Sequence, residues 1–204
     1  MKTLQFVASV MLMMATVSFL PAQSNFGEFK WGLTGGVHFA SFNNLELDKE
    51  GGRVGVVGGA FMKIPLSHKA SIRPELLFNM KGASLKYTND NGEDSEGKIQ
   101  LNYIELPVSL DFEFMGIIDA HAGIQAAYLL SDAFKVDGTS ITVLDDQYNK
   151  GEFGFHFGTG IDLGNIGVHV RFQQSLTSFL ADGSTFSEPR NWGITLTAAY
   201  MFIN

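Results

Sequence analysis

The sequence has no cysteine, few charged residues and, after its first 22 residues, no long apolar run. Without cysteine, an exported chain has neither disulfides nor a lipid-bearing cysteine, so pairing and packing must supply its stability. The absence of an 18-residue apolar run after residue 22 excludes a helical membrane span there. The formal net charge of −7 leaves no basic footprint for nucleic acid, so we expect no nucleic-acid partner.

The first 22 residues have the layout of a secretory signal peptide. A positive start at Lys2 is followed by an apolar run that ends at Leu20 and by small residues near Ala22. Polar side chains interrupt the run and no basic cluster follows it, which favours a cleaved signal over a membrane anchor. We therefore predict a signal peptide at 1–22 and one mature domain at 23–204.

Aromatic and small residues are abundant, with 18 Phe and 23 Gly in a chain that is 45% hydrophobic. Many of them follow a two-residue period. In the clearest segment, Phe153, Phe155 and Phe157 alternate with polar or small residues such as Glu152 and His156. Successive side chains of a strand face opposite sides, so such a segment has one apolar and one polar face. Eight segments alternate in this way, which predicts eight strands.

The connections between these segments alternate between short and long. The short ones are 66–69, 115–117 and 164–165, and the long polar ones are 42–53, 85–98, 131–150 and 178–190. This alternation around an even number of strands is typical of a transmembrane barrel. The sequence therefore predicts an all-β fold, an eight-stranded antiparallel up-and-down transmembrane β-barrel with short periplasmic turns and long extracellular loops. The long loops carry 13 acidic and 7 basic residues, so we expect an acidic surface there.

A soluble ligand-binding barrel would show the same alternation with its apolar face turned inward, and two observations disfavour it. An eight-stranded interior is only just wide enough for ordinary side chains, yet it would have to hold Trp31, Trp192 and the phenylalanines above. Aromatic residues also gather toward the segment ends, as they do at membrane interfaces. We therefore expect the apolar face to contact lipid in the outer membrane of a Gram-negative bacterium, with the polar face lining the lumen.

The polar face carries charged residues in the middle of the segments. A narrow interior can hold charges only when they are paired and hydrogen-bonded, so we expect a salt-bridged network that fills the lumen and leaves no open channel. The predicted lumen network, a structural site, consists of Arg73, Glu75, Lys81, Glu105, His121, Glu152, His156, His169 and Arg171.

The five histidines invite a chemical role, but their positions argue against one. His38, His121, His156 and His169 fall on the inward face, and His68 lies in a short connection. Their spacing shows no convergent ligand pattern, so we predict no metal site and no cofactor. A lipid-modifying enzyme would need such a group on the outward face, so we also predict no catalytic residues and no enzymatic activity.

Two features do not fit a regular strand pattern. Leu101 and Tyr103 lie on the opposite parity from the apolar positions that start at Ile104, so the fourth strand either starts late or carries a bulge. Pro74 and Pro107 each remove a backbone donor inside a predicted strand of a barrel that has no edge. The two-residue period alone does not explain these prolines.

Three segments resemble marker segments of a known family. They are WGLTGGV at 31–37, SIRPELLF at 71–78 and NYIELPV at 102–108. The segments are similar to those of the outer membrane protein β-barrel family that includes PorT-like proteins, and the prolines belong to the resemblance. It implies an eight-stranded outer-membrane barrel without assigned catalytic residues. One branch of the family serves protein secretion, and nothing in this sequence singles out that branch.

Two functional classes follow from this reading. The first is a structural or interaction barrel with a salt-bridged lumen and acidic loops, in contact with outer-membrane lipid and an envelope protein or surface ligand. The second is an accessory barrel of a secretion or outer-membrane assembly system. The short turns offer little surface to a periplasmic partner, which favours the first class, and we expect a monomer.

Overall fold

The computed structural model describes residues 27–43, 50–88, 94–136, 139–141, 150–177 and 190–202. The predicted signal peptide lies outside these ranges. The strands are β1 Lys30–Asn43, β2 Glu50–Pro65, β3 Ala70–Thr88, β4 Asp94–Phe114, β5 Ile118–Val136, β6 Thr139–Ile141, β7 Gly151–Leu163, β8 Ile166–Ser175 and β9 Arg190–Phe202. No helix within the described ranges is long and apolar enough to cross a membrane.

Eight of these strands form a closed barrel. Each pairs antiparallel with the next along the chain, and β1 pairs with β9, from Trp31 opposite Phe202 to Asn43 opposite Arg190, which closes the cylinder. Among the described residues, the three-residue β6 pairs with the end of β5 and with no other strand. The predicted eight-stranded antiparallel barrel is thus confirmed. Closure gives each of the eight barrel strands, which we call the wall strands, a hydrogen-bonded neighbour on both sides. A strand that crosses lipid requires this.

The three short turns lie where the sequence predicts them, at 66–69, 115–117 and 164–165. Met115, Gly116 and Gly164 have φ values of 53°, 76° and 62°, the left-handed conformation that lets so few residues reverse the chain. These turns gather at one end of the barrel, which we call the turn end. The opposite end, where the long connections lie, is called the loop end.

At the loop end the strands run further than the sequence predicts. The predicted loop at 85–98 is partly strand, because β3 continues to Thr88 and β4 begins at Asp94. The predicted loop at 131–150 contains the end of β5 and all of β6. Beyond the bilayer a hairpin needs no apolar face, so its backbone pairing continues where the two-residue period has stopped. The loop residues 44–49, 89–93, 137–138, 142–149 and 178–189 lie outside the described residues.

The irregularity around Leu101 and Tyr103 has a different cause from either one predicted. β4 neither starts late nor bulges. Both side chains are buried on the inward face, on the same parity as Glu105. The extra residue is Leu130 in the neighbouring strand, since the pairing changes register between Asn102–Ser131 and Tyr103–Leu129. The inward face of β4 is therefore apolar toward the loop end and charged further in.

The two prolines lie at interruptions of the pairing between strands. The β2–β3 register passes from Phe61–Glu75 to Ile64–Ile72 and skips Pro74. The β3–β4 register passes from Pro74–Val108 to Leu77–Glu105 and skips Pro107. Proline has no backbone N–H to donate, and each of the two thus faces the neighbouring strand at the point where the pairing is interrupted. On the other side each proline stays paired, Pro74 with Val108 and Pro107 with Gln125.

Large apolar side chains cover the outside of the barrel. Trp31 stacks on Phe202 with ring centroids 4.3 Å apart, and Tyr200 meets Phe202 edge-on at 5.2 Å, forming an aromatic group near the turn end. Phe172 and Trp192 form another toward the loop end, with centroids 6.2 Å apart. Such groups mark the two interfaces of a membrane. This outward apolar face is the reverse of what a soluble ligand-binding barrel requires.

Candidate functional site

All nine residues of the predicted lumen network lie inside the barrel, and none of them is more than 8% exposed. They come from β3, β4, β5, β7 and β8, whose inward positions meet only because the sheet closes. The contacts divide them into three layers along the barrel axis, at the loop end, in the middle and at the turn end.

The loop-end layer is built around one lysine. Lys81 Nζ lies 2.6 Å from Glu105 Oε1 and 2.8 Å from Glu152 Oε1, so a single cation joins β3 to β4 and β7. Asn79 donates to the second oxygen of Glu105 at 3.0 Å, and Asn191 donates to the second oxygen of Glu152 at 2.6 Å. The lysine and both carboxylates are therefore paired and hydrogen-bonded, as buried charges must be.

The middle layer is built around one carboxylate. Glu75 Oε1 accepts a hydrogen bond from Arg171 and lies 3.4 Å from Arg73 Nε. The Arg73 guanidinium lies over the Phe61 ring at 4.3 Å from its centroid, which adds a cation–π contact. His156 is hydrogen-bonded to Ser109 at 2.8 Å. Two guanidinium groups thus share one carboxylate across the barrel.

The turn-end layer gathers histidine and aspartate. His169 Nε2 lies 3.3 Å from Asp119 Oδ2 and 3.1 Å from Asp162 Oδ1. His121 Nδ1 hydrogen-bonds Asp119 Oδ1 at 3.0 Å, and Lys63 donates to Asp162 Oδ2 at 3.1 Å. We call Asp119, Asp162 and His169 the turn-end triad. One atom from each of the three lies within 4.8 Å of the other two, the spacing of a possible metal site.

A cavity of about 320 Å³ opens at the turn end and reaches this layer. Its lining includes Lys63, Asp111 and Asp162. The carboxylate of Asp111 is buried, and neither of its oxygens has a hydrogen-bond partner in the part of the chain that the structure describes. Buried polar atoms without a hydrogen-bond partner are few in proteins, and each calls for an explanation, such as a bound water molecule or a bound ion. The turn-end layer therefore includes a buried carboxylate beside an open cavity.

Some lumen residues were not part of the predicted network. Phe61 and Tyr103 pack against its cations, with Lys81 Nζ 5.0 Å from the Tyr103 ring centroid. Both could be found from parity, since Phe61 shares the face of Lys63 and Tyr103 that of Glu105. The turn-end triad carries no local signal, because its members belong to three strands and meet only in the closed barrel.

Comparisons with known proteins agree with this geometry. A profile of the outer membrane protein beta-barrel domain matches residues 21–181. The structure is similar to Neisserial surface protein A, with a TM-score of 0.58 and 9% identity over 84% of this chain and 97% of that one. It is also similar to Ail, the attachment invasion locus protein of Yersinia pestis in complex with the heparin analogue sucrose octasulfate. The TM-score is 0.51, with 11% identity over 86% and 100% of the two chains. At these identities the likeness concerns the fold, and no curated protein matches the sequence.

The family match covers more than half of the chain. A closed eight-stranded wall, an apolar outer surface and a charged interior are the features that a barrel of this family needs in lipid. They also agree with the resemblance that the strand segments show. The chain therefore belongs to the outer membrane protein β-barrel domain family, and its location is the outer membrane of a Gram-negative bacterium.

Proposed function

We propose that this protein is a sealed, non-conducting outer-membrane barrel that acts as a structural and interaction protein and performs no catalysis. The observation that supports this proposal is the burial of the ion pairs. Glu75, Lys81 and Glu105 are each 1% exposed although they lie in the interior that a pore would fill with water. Opening a channel would separate pairs that stabilise each other across the barrel, which is costly for buried charges.

A conductance measurement tests the sealed lumen. The refolded protein is inserted into a planar bilayer, and a general porin in a separate bilayer of the same lipid is the positive control. We expect no large, steady conductance from the wild type because the Lys81 and Glu75 layers both cross the lumen. Porin-like single-channel steps would contradict the proposal and indicate transport instead.

The interaction role is proposed for the loop end. β3, β4 and β5 are 19 to 21 residues long, whereas a transmembrane strand needs about 9–11 residues, so their hairpins project beyond the bilayer. The long connections there have a net charge of −6. The similar barrel Ail binds a sulfated sugar analogue, and an acidic surface disfavours such a polyanion. We therefore expect a cationic ligand or partner.

A pair of binding measurements tests this expectation. The detergent-solubilised protein is passed over a cation-exchange resin that carries sulfated polysaccharide and over a polylysine resin at the same low ionic strength. We expect retention on polylysine, and loss of retention as salt screens the charges. Retention on the sulfated resin alone would contradict the acidic-loop proposal. The role of accessory barrel in a secretion or assembly system stays a prediction.

A further inference from the structure

We propose that the turn-end triad, Asp119, Asp162 and His169, is a binding site for a divalent transition-metal ion of the Zn²⁺ class, reached from the periplasmic side. The site is separate from the proposed interaction surface, which lies at the other end of the barrel. It also goes against the prediction from the sequence, in which no ligand spacing is visible.

The distances from the histidine to the two aspartates fit such an ion. His169 Nε2 lies 3.1 Å from Asp162 Oδ1 and 3.3 Å from Asp119 Oδ2. Zinc–nitrogen and zinc–oxygen bonds are about 2.0–2.2 Å long, so two ligand atoms of a tetrahedral site lie about 3.3 Å apart. Two oxygens and one imidazole nitrogen are a donor set that suits zinc and similar ions. Three protein ligands leave a fourth position to water.

The atoms that face the proposed ion are those without another partner. Asp119 and Asp162 each have one oxygen held by a neighbour, His121 and Lys63 respectively. The other oxygen of each, Asp119 Oδ2 and Asp162 Oδ1, makes no hydrogen bond among the described residues. Asp119 is only 1% exposed, so its orphaned oxygen is deeply buried and points at His169. An ion between them would satisfy both oxygens.

A hydrogen bond on the histidine also points to an ion. Arg73 Nη1 lies 3.4 Å from His169 Nε2, and a guanidinium can only donate, so this hydrogen bond exists only in the neutral tautomer whose Nε2 carries a lone pair. With that lone pair, Nε2 has no proton to give to either carboxylate nearby. A metal ion resolves the conflict, because it binds the lone pair and both oxygens at once. The ion would displace the Arg73 guanidinium from His169 Nε2, and Arg73 would keep its ion pair with Glu75.

Two glycines make room for the triad. A Cβ at Gly160 would overlap the His169 ring and come within 2.7 Å of Asp119 Oδ2. A Cβ at Gly167 would overlap Asp162 Oδ1 and approach His169 Cε1 to 2.8 Å. Any residue other than glycine at these two positions of β7 and β8 would therefore push its Cβ into the ligand atoms.

Access and charge are consistent with a cation at this place. Asp162 is 18% exposed and lines the cavity at the turn end, so an ion can reach it from the mouth. Asp111 on the same cavity adds a third carboxylate. Of the nearby cations, Lys63 pairs with Asp162 and Arg73 pairs with Glu75, and Lys30 also lines the cavity. The ion pairs of Asp119 are with His121 and His169.

The test is a zinc titration of the refolded full-length barrel in detergent, with a chromophoric chelator as competitor. We expect one zinc ion per chain. Asp119→Asn and His169→Gln should each weaken zinc binding at least tenfold, because each removes a ligand charge or a ligand nitrogen. His38→Gln is the matched control, since His38 is also a buried inward histidine but is hydrogen-bonded to Thr195 in another part of the lumen. It should leave the affinity within twofold of the wild type.

Several outcomes would overturn the proposal. They are a wild type that takes up no zinc, triad variants that bind as the wild type does, and a loss of binding on His68→Gln, which would place the ion on the exposed turn. If Asp119→Asn fails to fold, Asp162→Asn replaces it, because Asp162 is less buried. Unchanged zinc affinity in a folded Asp162→Asn would then contradict the site.

Discussion

Adjacent residues of one barrel strand meet opposite environments, as Phe155 and His156 of β7 show. Phe155 is 37% exposed on the outer surface, whereas His156 is 1% exposed and hydrogen-bonded to Ser109. An arginine on the lipid face near the midplane costs about 2–4 kcal/mol. Phe155→Arg should lower the free energy of unfolding in lipid vesicles by that amount. His156→Gln should cost less, because glutamine can keep a hydrogen bond to Ser109.

These two variants form a matched pair, since they share strand and depth in the membrane. Urea titrations in vesicles of the same lipid give both free energies. If His156→Gln proved more destabilising than Phe155→Arg, the facing of β7 would be reversed.

Glu75 is the residue on which the middle layer depends. Arg171 donates to its carboxylate, and Arg73 lies 3.4 Å away. Removing one partner from a buried ion pair costs about 3–5 kcal/mol, because the remaining charge is left without compensation. Glu75→Gln should therefore destabilise the barrel by about 3–5 kcal/mol in the same urea titration. Glu28→Gln, at an exposed position before β1, should change stability by less than about 0.5 kcal/mol. Equal effects would mean that the lumen pairs contribute little.

At the scale of the strands, the sequence predicts which side of the barrel wall a side chain faces better than it predicts which side chain it pairs with. Whether Lys81 or Glu152 points inward follows from parity, because a strand alternates its side chains. That Lys81 pairs with Glu152 does not follow, since β3 and β7 are separated by two strands and their relative height depends on every register between them. The extra residue Leu130 shifts one of these registers, and the period of β4 carries no sign of it.

The ends of the strands are predictable only at the turn end. There the apolar outward positions continue to the turns, so the pattern stops where the strand stops. At the loop end, residues such as those at 94–98 form strand outside the lipid, where neither face needs to be apolar. The sequence pattern therefore predicts loop for the hairpin extensions of β3, β4 and β5, where the structure has strand.

The orientation of these elements in the membrane can be tested with single cysteines, because the chain has none of its own. The alternation of short and long connections predicts that the loop end faces outward. Cysteines at Asn91, Gly138 and Gly183, which lie outside the described residues, should react with an impermeant maleimide on intact cells. A cysteine at Asn165, in the turn between β7 and β8, should react only after the outer membrane is permeabilised. Equal labelling of all four would contradict the topology.

The whole molecule depends on closure, because an unpaired strand edge in lipid exposes backbone groups that nothing can satisfy. β9 pairs with β1 along its full length and with β8 on its other side. Deleting 190–202, the 13 residues of β9, opens both ladders at once. A deletion of equal size at 133–145 removes β6 and the end of β5 and keeps the β5–β7 pairing from Ile118 to Tyr128.

We therefore expect opposite outcomes from two deletions of the same length. The variant without 133–145 should still give a protease-protected core in vesicles and a band whose gel mobility changes on heating, since its wall strands remain paired from end to end of the bilayer. The variant without 190–202 should give neither, because β1 and β8 are too far apart to pair without β9 between them. Its loss of both signals is specific to closure, since the control lacks as many residues. A protected core in both variants would mean that seven strands suffice to form the barrel.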